Sequence, residues 1–227
     1  MTHFKLIIDF DSTFVKVETL DVLAEICFDN TTDKASKIDA ITEITNKAMN
    51  GEMPFDIALQ ERIKILQPNK THIDKTLKII KDTISESFKK NHHFFKRNID
   101  NCFIVSGGFK EIISQTVASY GFKSDNIFGN NFIYENNSTI FTINNNNPLS
   151  QEFGKIKISK QINKNKSTSN ESTIILGDGY TDYEVKKYGQ ADFFIQFVEN
   201  VNRESLNNKA DLIAENFDDV IKFIEKI

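Results

Sequence analysis

Four short apolar runs, residues 4–8, 102–105, 173–176 and 192–195, are spaced along the chain with helical patterns between them, and the first three stop at Asp9, Ser106 and Gly177. Strands alternating with helices in this way predict an α/β fold built on a parallel sheet, with any ligand at the carboxyl ends of the strands. Between residues 17 and 89 the pattern is helical throughout: Leu20, Leu23, Ala24 and Cys27, then Ile38, Ile41, Thr45 and Ala48, then Phe55, Leu59, Ile63 and Leu66, then Ile73, Leu77, Ile80 and Ile84. A helical block placed after the first strand is read as an inserted cap domain, residues 17–89, on a core made of 1–16 and 90–227. The alternative is a helical layer packed on the sheet itself.

The 227 residues suit one such core with an insertion, and 39% hydrophobic residues with 20 Phe can fill it without any Trp. With 28 basic against 32 acidic residues the net charge is -4. No basic cluster points to nucleic acid, whose recognition rests on grouped Lys and Arg. No stretch approaches the ~18 apolar residues of a membrane helix. The start, Met1 to Lys5, runs straight into a strand without a signal-peptide layout, so a cytoplasmic protein with Cys27 and Cys102 buried and reduced is expected. His3, His72, His92 and His93 form no ligand set by spacing and are read as surface or structural residues. Oligomeric state is not readable.

The first strand ends in Asp9-Phe10-Asp11-Ser12-Thr13. Carboxylates two residues apart on an extended chain point the same way. One can bind a hard cation such as Mg²⁺ and attack phosphorus, since aspartyl-phosphate is a known intermediate type, while the other moves protons. Alone, the same residues also fit a strand end followed by a capping turn. Ser106-Gly107-Gly108-Phe109 ends the second run before a helix, a natural phosphate-binding turn, with Ser106 and Gly107 as contacts. Gly177-Asp178-Gly179-Tyr180-Thr181-Asp182 ends the third, and Asp178 would complete the acidic metal set. A phosphoryl site also needs a cation, and Lys155, Lys157 and Lys160 are all candidates by spacing. Phe132-Ile133-Tyr134 and Thr139 to Ile143 predict a hairpin around Glu135 to Ser138, and the polar runs 144–147 and 164–172 predict exposed loops.

Together these motifs resemble the haloacid dehalogenase-like phosphatase superfamily, and more closely its phosphoserine phosphatase family, over nearly the whole chain. Glu18-Thr19-Leu20-Asp21, Ala48-Met49-Asn50-Gly51-Glu52-Met53-Pro54-Phe55, Ala58-Leu59-Gln60-Glu61-Arg62, Gly154-Lys155 and Asn200-Val201-Asn202-Arg203 carry the closer likeness. The resemblance implies a Rossmann-like core with a helical cap and Mg²⁺-dependent hydrolysis of a small phosphomonoester, phosphoserine first, as in serine biosynthesis. It implies Asp9 as nucleophile and Asp11 as proton donor, then base. Asp9, the Asp11 carbonyl and Asp178 would hold the metal. Ser106, Gly107, Gly108 and Lys155 would bind the phosphoryl group, with Asp182 orienting Lys155. Thr181, Met49, Phe55 and Arg203 would line the substrate, while Glu18 and Arg62 would take its ammonium and carboxylate. Asn50 stands where the family carries glycine, which would narrow the pocket, and the region between Cys27 and Ala48 is longer than usual. Another small phosphometabolite, phosphotransfer to another acceptor such as homoserine, or binding without turnover are the alternatives.

Overall fold

The computed structural model describes residues 4–134, 141–164 and 171–227, with only the backbone of Tyr134 and Phe141. Six parallel strands form the main sheet: β1 (Phe4–Ile8), β2 (Cys102–Phe109), β3 (Ile127–Asn130), β6 (Ser172–Gly177), β7 (Phe193–Phe197) and β8 (Leu212–Ala214), in the order β3-β2-β1-β6-β7-β8. A separate antiparallel pair, β4 (Phe132–Tyr134) and β5 (Phe141–Ile143), pairs Phe132 with Ile143, as the hairpin pattern expected. The predicted turn at Glu135 to Ser138 lies outside the described residues.

β1 is buried along its whole length because both faces of a parallel sheet are covered. Alternate residues separate two cores: Leu6, Ile8, Ile104 and Leu176 face one side, and Ile7, Val105 and Ile175 the other. On the first side lie α5 (Glu86–Lys90), α6 (His92–Asn98), α7 (Lys110–Val117) and α10 (Phe217–Ile224). On the second lie α8 (Gly154–Asn163) and α9 (Tyr180–Lys187). The chain leaves β1 to build β2 and β3 on one side and returns to build β6 to β8 on the other. The edge between β1 and β6 is therefore the crossover where α/β sheets bind ligands.

Between β1 and β2 lie α1 (Thr19–Cys27), α2 (Lys34–Asn50), α3 (Phe55–Leu66) and α4 (Lys70–Ile80), packed on one another. Asn69 caps α4 reciprocally with His72, which gives that histidine a structural role. Ile84, expected on the last helix, instead pairs with Val15 in an isolated antiparallel bridge, and Lys16 N–H donates to Thr83 O at 2.8 Å. The two chain crossings between helical block and sheet thus lie side by side.

Phenylalanine fills the space behind the first strand's carboxyl end. Phe88 is fully buried, with ring centroids 4.8 Å from Phe14, 5.5 Å from Phe197 and 4.5 Å from Phe217. Three readings need correction. β3 and β8 carry no apolar run long enough to register in the sequence, since each has only three or four residues. Cys27 is half-buried rather than buried, with Sγ 3.3 Å from His72 Nδ1. Glu171, placed in an exposed loop, is buried against Lys5 at 3.5 Å, because a lysine on the central strand requires a counter-charge; residues 165–170 lie outside the described residues. Among the described residues no helix is long and apolar enough to cross a membrane.

Candidate active site

Three adjacent strands bring the predicted motifs to one edge. Asp9 follows β1 and its N–H donates to Leu176 O at 2.9 Å, so it is locked between β1 and β6. Asp178 follows β6, and Ser106 lies in β2 just beyond Ile104, the partner of Ile8. After Asp9 the chain turns sharply: Val15 N–H donates to Phe10 O at 3.0 Å, and Ser12 takes a φ of 53°, a left-handed conformation that non-glycine residues hold only when their surroundings enforce it. Asn200 enforces it here, donating to Ser12 O at 3.0 Å and to Ser85 Oγ at 2.8 Å.

Of the three candidate lysines, the structure brings Lys155 into the site. Its Nζ lies 2.9 Å from Asp9 Oδ1 and 2.7 Å from Asp182 Oδ1. Lys157 is exposed and bonds Gln151, and Lys160 is exposed. Asp182 also accepts from Gly179 N–H at 3.1 Å, which fixes its carboxyl at the start of α9. Gly177 is required beside it, because a Cβ there would overlap the Asp182 carboxyl. Ser106 Oγ accepts from Gly108 N–H at 3.0 Å, and the Phe55 ring covers Gly107 so closely that any side chain at 107 would overlap it.

The cavity between this edge and the helical block measures about 20 Å³ and is lined by Asp9, Asp11, Glu18, Leu20, Met49, Phe55, Arg62, Ser106, Gly107, Gly108 and Lys155. Ten of the predicted site residues therefore meet in one place. Glu18 accepts from Ser12 Oγ at 2.7 Å, and buried Arg62 donates to Ala58 O and Thr45 Oγ1, both at 3.1 Å. Asn50 is not among these lining residues; it ends α2. Thr181 lies in a neighbouring cavity of about 170 Å³ that shares Phe55, Gly107 and Lys155. Arg203 sits behind the site: its Nε is 2.8 Å from Asp178 Oδ2 and its Nη2 3.8 Å from Glu18 Oε1. It contacts the acidic groups rather than the cavity. Thr13 and Thr19, assigned no role from the sequence, touch Asp178 and Asp11 respectively. A threonine beginning a helix is a recognisable signal, but its acceptor on another segment is not.

Carboxylate oxygens of Asp9, Asp178 and Asp182 lie within 4.8 Å of one another, all buried. Such crowding disfavours charge. Desolvation, then the neighbouring Asp9, pushes Asp182 up to about 8, while desolvation opposed by Thr19 and reinforced by Asp9 pushes Asp11 up to about 7. Asp178 and Glu18 are raised too, desolvation leading in both. A raised carboxyl pKa means that the folded state holds protons the unfolded chain has released, so stability falls as pH climbs from the ordinary carboxylate range through the folded values. The metal-free protein in EDTA should therefore unfold at lower urea at about pH 8 than at about pH 5, and added divalent cation should remove most of that difference.

An oxygen-rich acidic edge with a paired lysine and a Ser-Gly turn, on a parallel sheet with a helical insertion after β1, defines a haloacid dehalogenase-like phosphatase. No protein-family model matches the chain, but curated relatives match across it, among them the chloroplastic phosphoserine phosphatase of Arabidopsis thaliana, 30% identical over 217 residues (96% of this chain, 70% of that protein), and the phosphoserine phosphatase of Homo sapiens, 27% over 218 residues (96% and 92%). The crystal structure of a phosphoserine phosphohydrolase-like protein from Francisella tularensis subsp. tularensis SCHU S4 superimposes with a TM-score of 0.85 at 26% identity, covering 97% of this chain and 99% of that one. The chain belongs to the phosphoserine phosphatase family.

Proposed function

We propose that this protein hydrolyses O-phospho-L-serine to L-serine and phosphate through an aspartyl-phosphate on Asp9. The observation that carries the reading is one cavity holding Asp9, Asp11, Ser106 and Lys155 on the sheet side and Glu18 and Arg62 on the side of the helical block. An acid and an arginine facing a phosphoryl site match the ammonium and carboxylate of an amino-acid phosphate.

Asp9 attacks phosphorus and the bond to the serine oxygen breaks, with Asp11 delivering the proton that oxygen takes up. Asp11 then takes a proton from the water that hydrolyses the acyl phosphate, releasing phosphate and restoring Asp9. Lys155 and the Ser106–Gly108 turn meet the phosphoryl oxygens, and Asp182 keeps Lys155 aimed at them. The donor set fits a small hard cation: it is oxygen-only and buried. Asp9, Asp178 and the Asp11 carbonyl would hold Mg²⁺, which would neutralise charge on the transferring group. Arg203, tied to Asp178, is a support for that ligand.

The helical block from residue 17 to Thr83 acts as a cap; α5, at the end of the expected 17–89 insertion, packs with Phe88 on the sheet side instead. The cavity between the block and the sheet edge has room for about one water molecule, too little for an amino-acid phosphate. Substrate entry therefore requires the block to swing away on the paired crossings at Val15–Lys16 and Thr83–Ile84, and its return excludes water.

Purified protein should release phosphate from phosphoserine with Mg²⁺ and lose about 10³-fold of that rate in EDTA, as several kcal/mol of charge stabilisation disappears. A panel of phosphomonoesters decides the substrate. Turnover of other esters without phosphoserine would overturn the assignment.

A further inference from the structure

Thr19 holds one oxygen of Asp11 from the far side of the catalytic loop. Its backbone N–H donates to Asp11 Oδ1 at 2.9 Å, and its Oγ1 hydroxyl donates to the same oxygen. These are donors of the first residue of α1, a helix whose own N-cap, Glu18, supplies no side-chain cap. Asp11 therefore caps α1 from eight residues upstream. The second oxygen, Oδ2, points the other way: a Cβ on Gly108 would sit 3.1 Å from it, and Gly108 and Asp11 both line the catalytic cavity. Thr19 itself is 1% exposed, so water does not compete for its hydroxyl.

We propose that Thr19 is a positioning residue for proton transfer: it pins Asp11 by Oδ1 so that Oδ2 faces the oxygen that receives the proton. The inference rests on Asp11 being the proton carrier. A carboxyl held at one oxygen by two donors from a helix terminus keeps one rotamer, and misplacement by about 1 Å costs on the order of 10²-fold. Because α1 opens the helical block, the same bonds also join the block's first turn to the proton carrier.

The test compares Thr19→Val and Thr19→Ser in the full chain with Mg²⁺, on phosphoserine and on p-nitrophenyl phosphate. Departure of a serine alkoxide needs a proton, whereas p-nitrophenolate leaves as a stable anion. Since kcat/KM reports the step in which the leaving group departs, Thr19→Val should lower it about 100-fold on phosphoserine and far less on the aryl ester. Thr19→Ser, which keeps the hydroxyl, should return it to near wild type, and Thr19→Val should add little in an Asp11→Asn background. Urea midpoints establish that each variant is folded. Equal losses on both esters, as a purely structural helix cap would give, overturn the proposal, as does a Thr19→Val enzyme with wild-type activity on phosphoserine. If the wild type leaves phosphoserine intact, the substrate assignment fails by itself, and the same ratio measured on β-glycerophosphate against p-nitrophenyl phosphate still decides the role of Thr19.

Discussion

Asp9→Asn lowers phosphate release from phosphoserine by on the order of 10⁴-fold or more, the scale on which loss of a covalent nucleophile is felt. The amide cannot form the acyl phosphate, and the carboxylate 2.9 Å from Lys155 Nζ is gone. Stability should move the opposite way. Asp9 repels the carboxylates of Asp11, Asp178 and Asp182, raising all three, so removing its charge relieves a crowded acidic edge. In EDTA the variant should therefore unfold at equal or higher urea than wild type, and it should gain less from Mg²⁺. A phosphate-release assay with paired urea titrations reads both effects. Substantial turnover by the folded variant would exclude the covalent route.

Phe88→Ala destabilises the protein by about 3–5 kcal/mol, the usual cost of emptying a phenylalanine site in a core. Its ring joins Phe14 at the end of the catalytic turn to Phe197 on β7 and Phe217 on α10, so the cavity left behind is walled by three elements that cannot all collapse into it. Against a total of about 5–15 kcal/mol this is a large share, and the melting temperature should fall by about 10 °C. Calorimetry on the metal-loaded protein checks it. A drop below about 1 kcal/mol would show that the aromatic cluster repacks freely.

The central strands were legible because burial on both sides demands unbroken apolar runs, and Asp9, Ser106 and Asp178 were legible because they end those runs. β3 and β8 were not, being short edge-side strands whose pairing depends on neighbours already in place. Spacing left three lysines open for a geometric reason, and the family resemblance alone singled out Lys155, which the structure places 2.9 Å from Asp9. Lys155 and Lys157 are about 200° apart around α8, and Lys160 is about 140° from Lys155, so one helix face decides which enters the site. That face is set by packing of Ile158 and Ile162 on the sheet, a contact with partners far along the chain.

Arg203 shows the same limit. Its place in the late motif suggested contact with substrate, yet its guanidinium lies against Asp178, because a buried carboxylate at a crowded acidic edge must be paired. Thr19 and Asp11 meet only because the turn through Ser12 reverses the chain, held by Asn200 almost two hundred residues later.

By itself the sequence determined the α/β class, the helical insertion after the first strand, and the acidic and glycine-rich strand ends that phosphoryl chemistry needs. Those are local properties, written in hydrophobic periodicity and in residues that end strands. The tertiary structure decided where Arg203 is placed and what meets Asp11, and it made the Lys155–Asp9 pair that spacing alone had left open. Those depend on side chains brought together across the sheet edge, for which the chain carries no local signal.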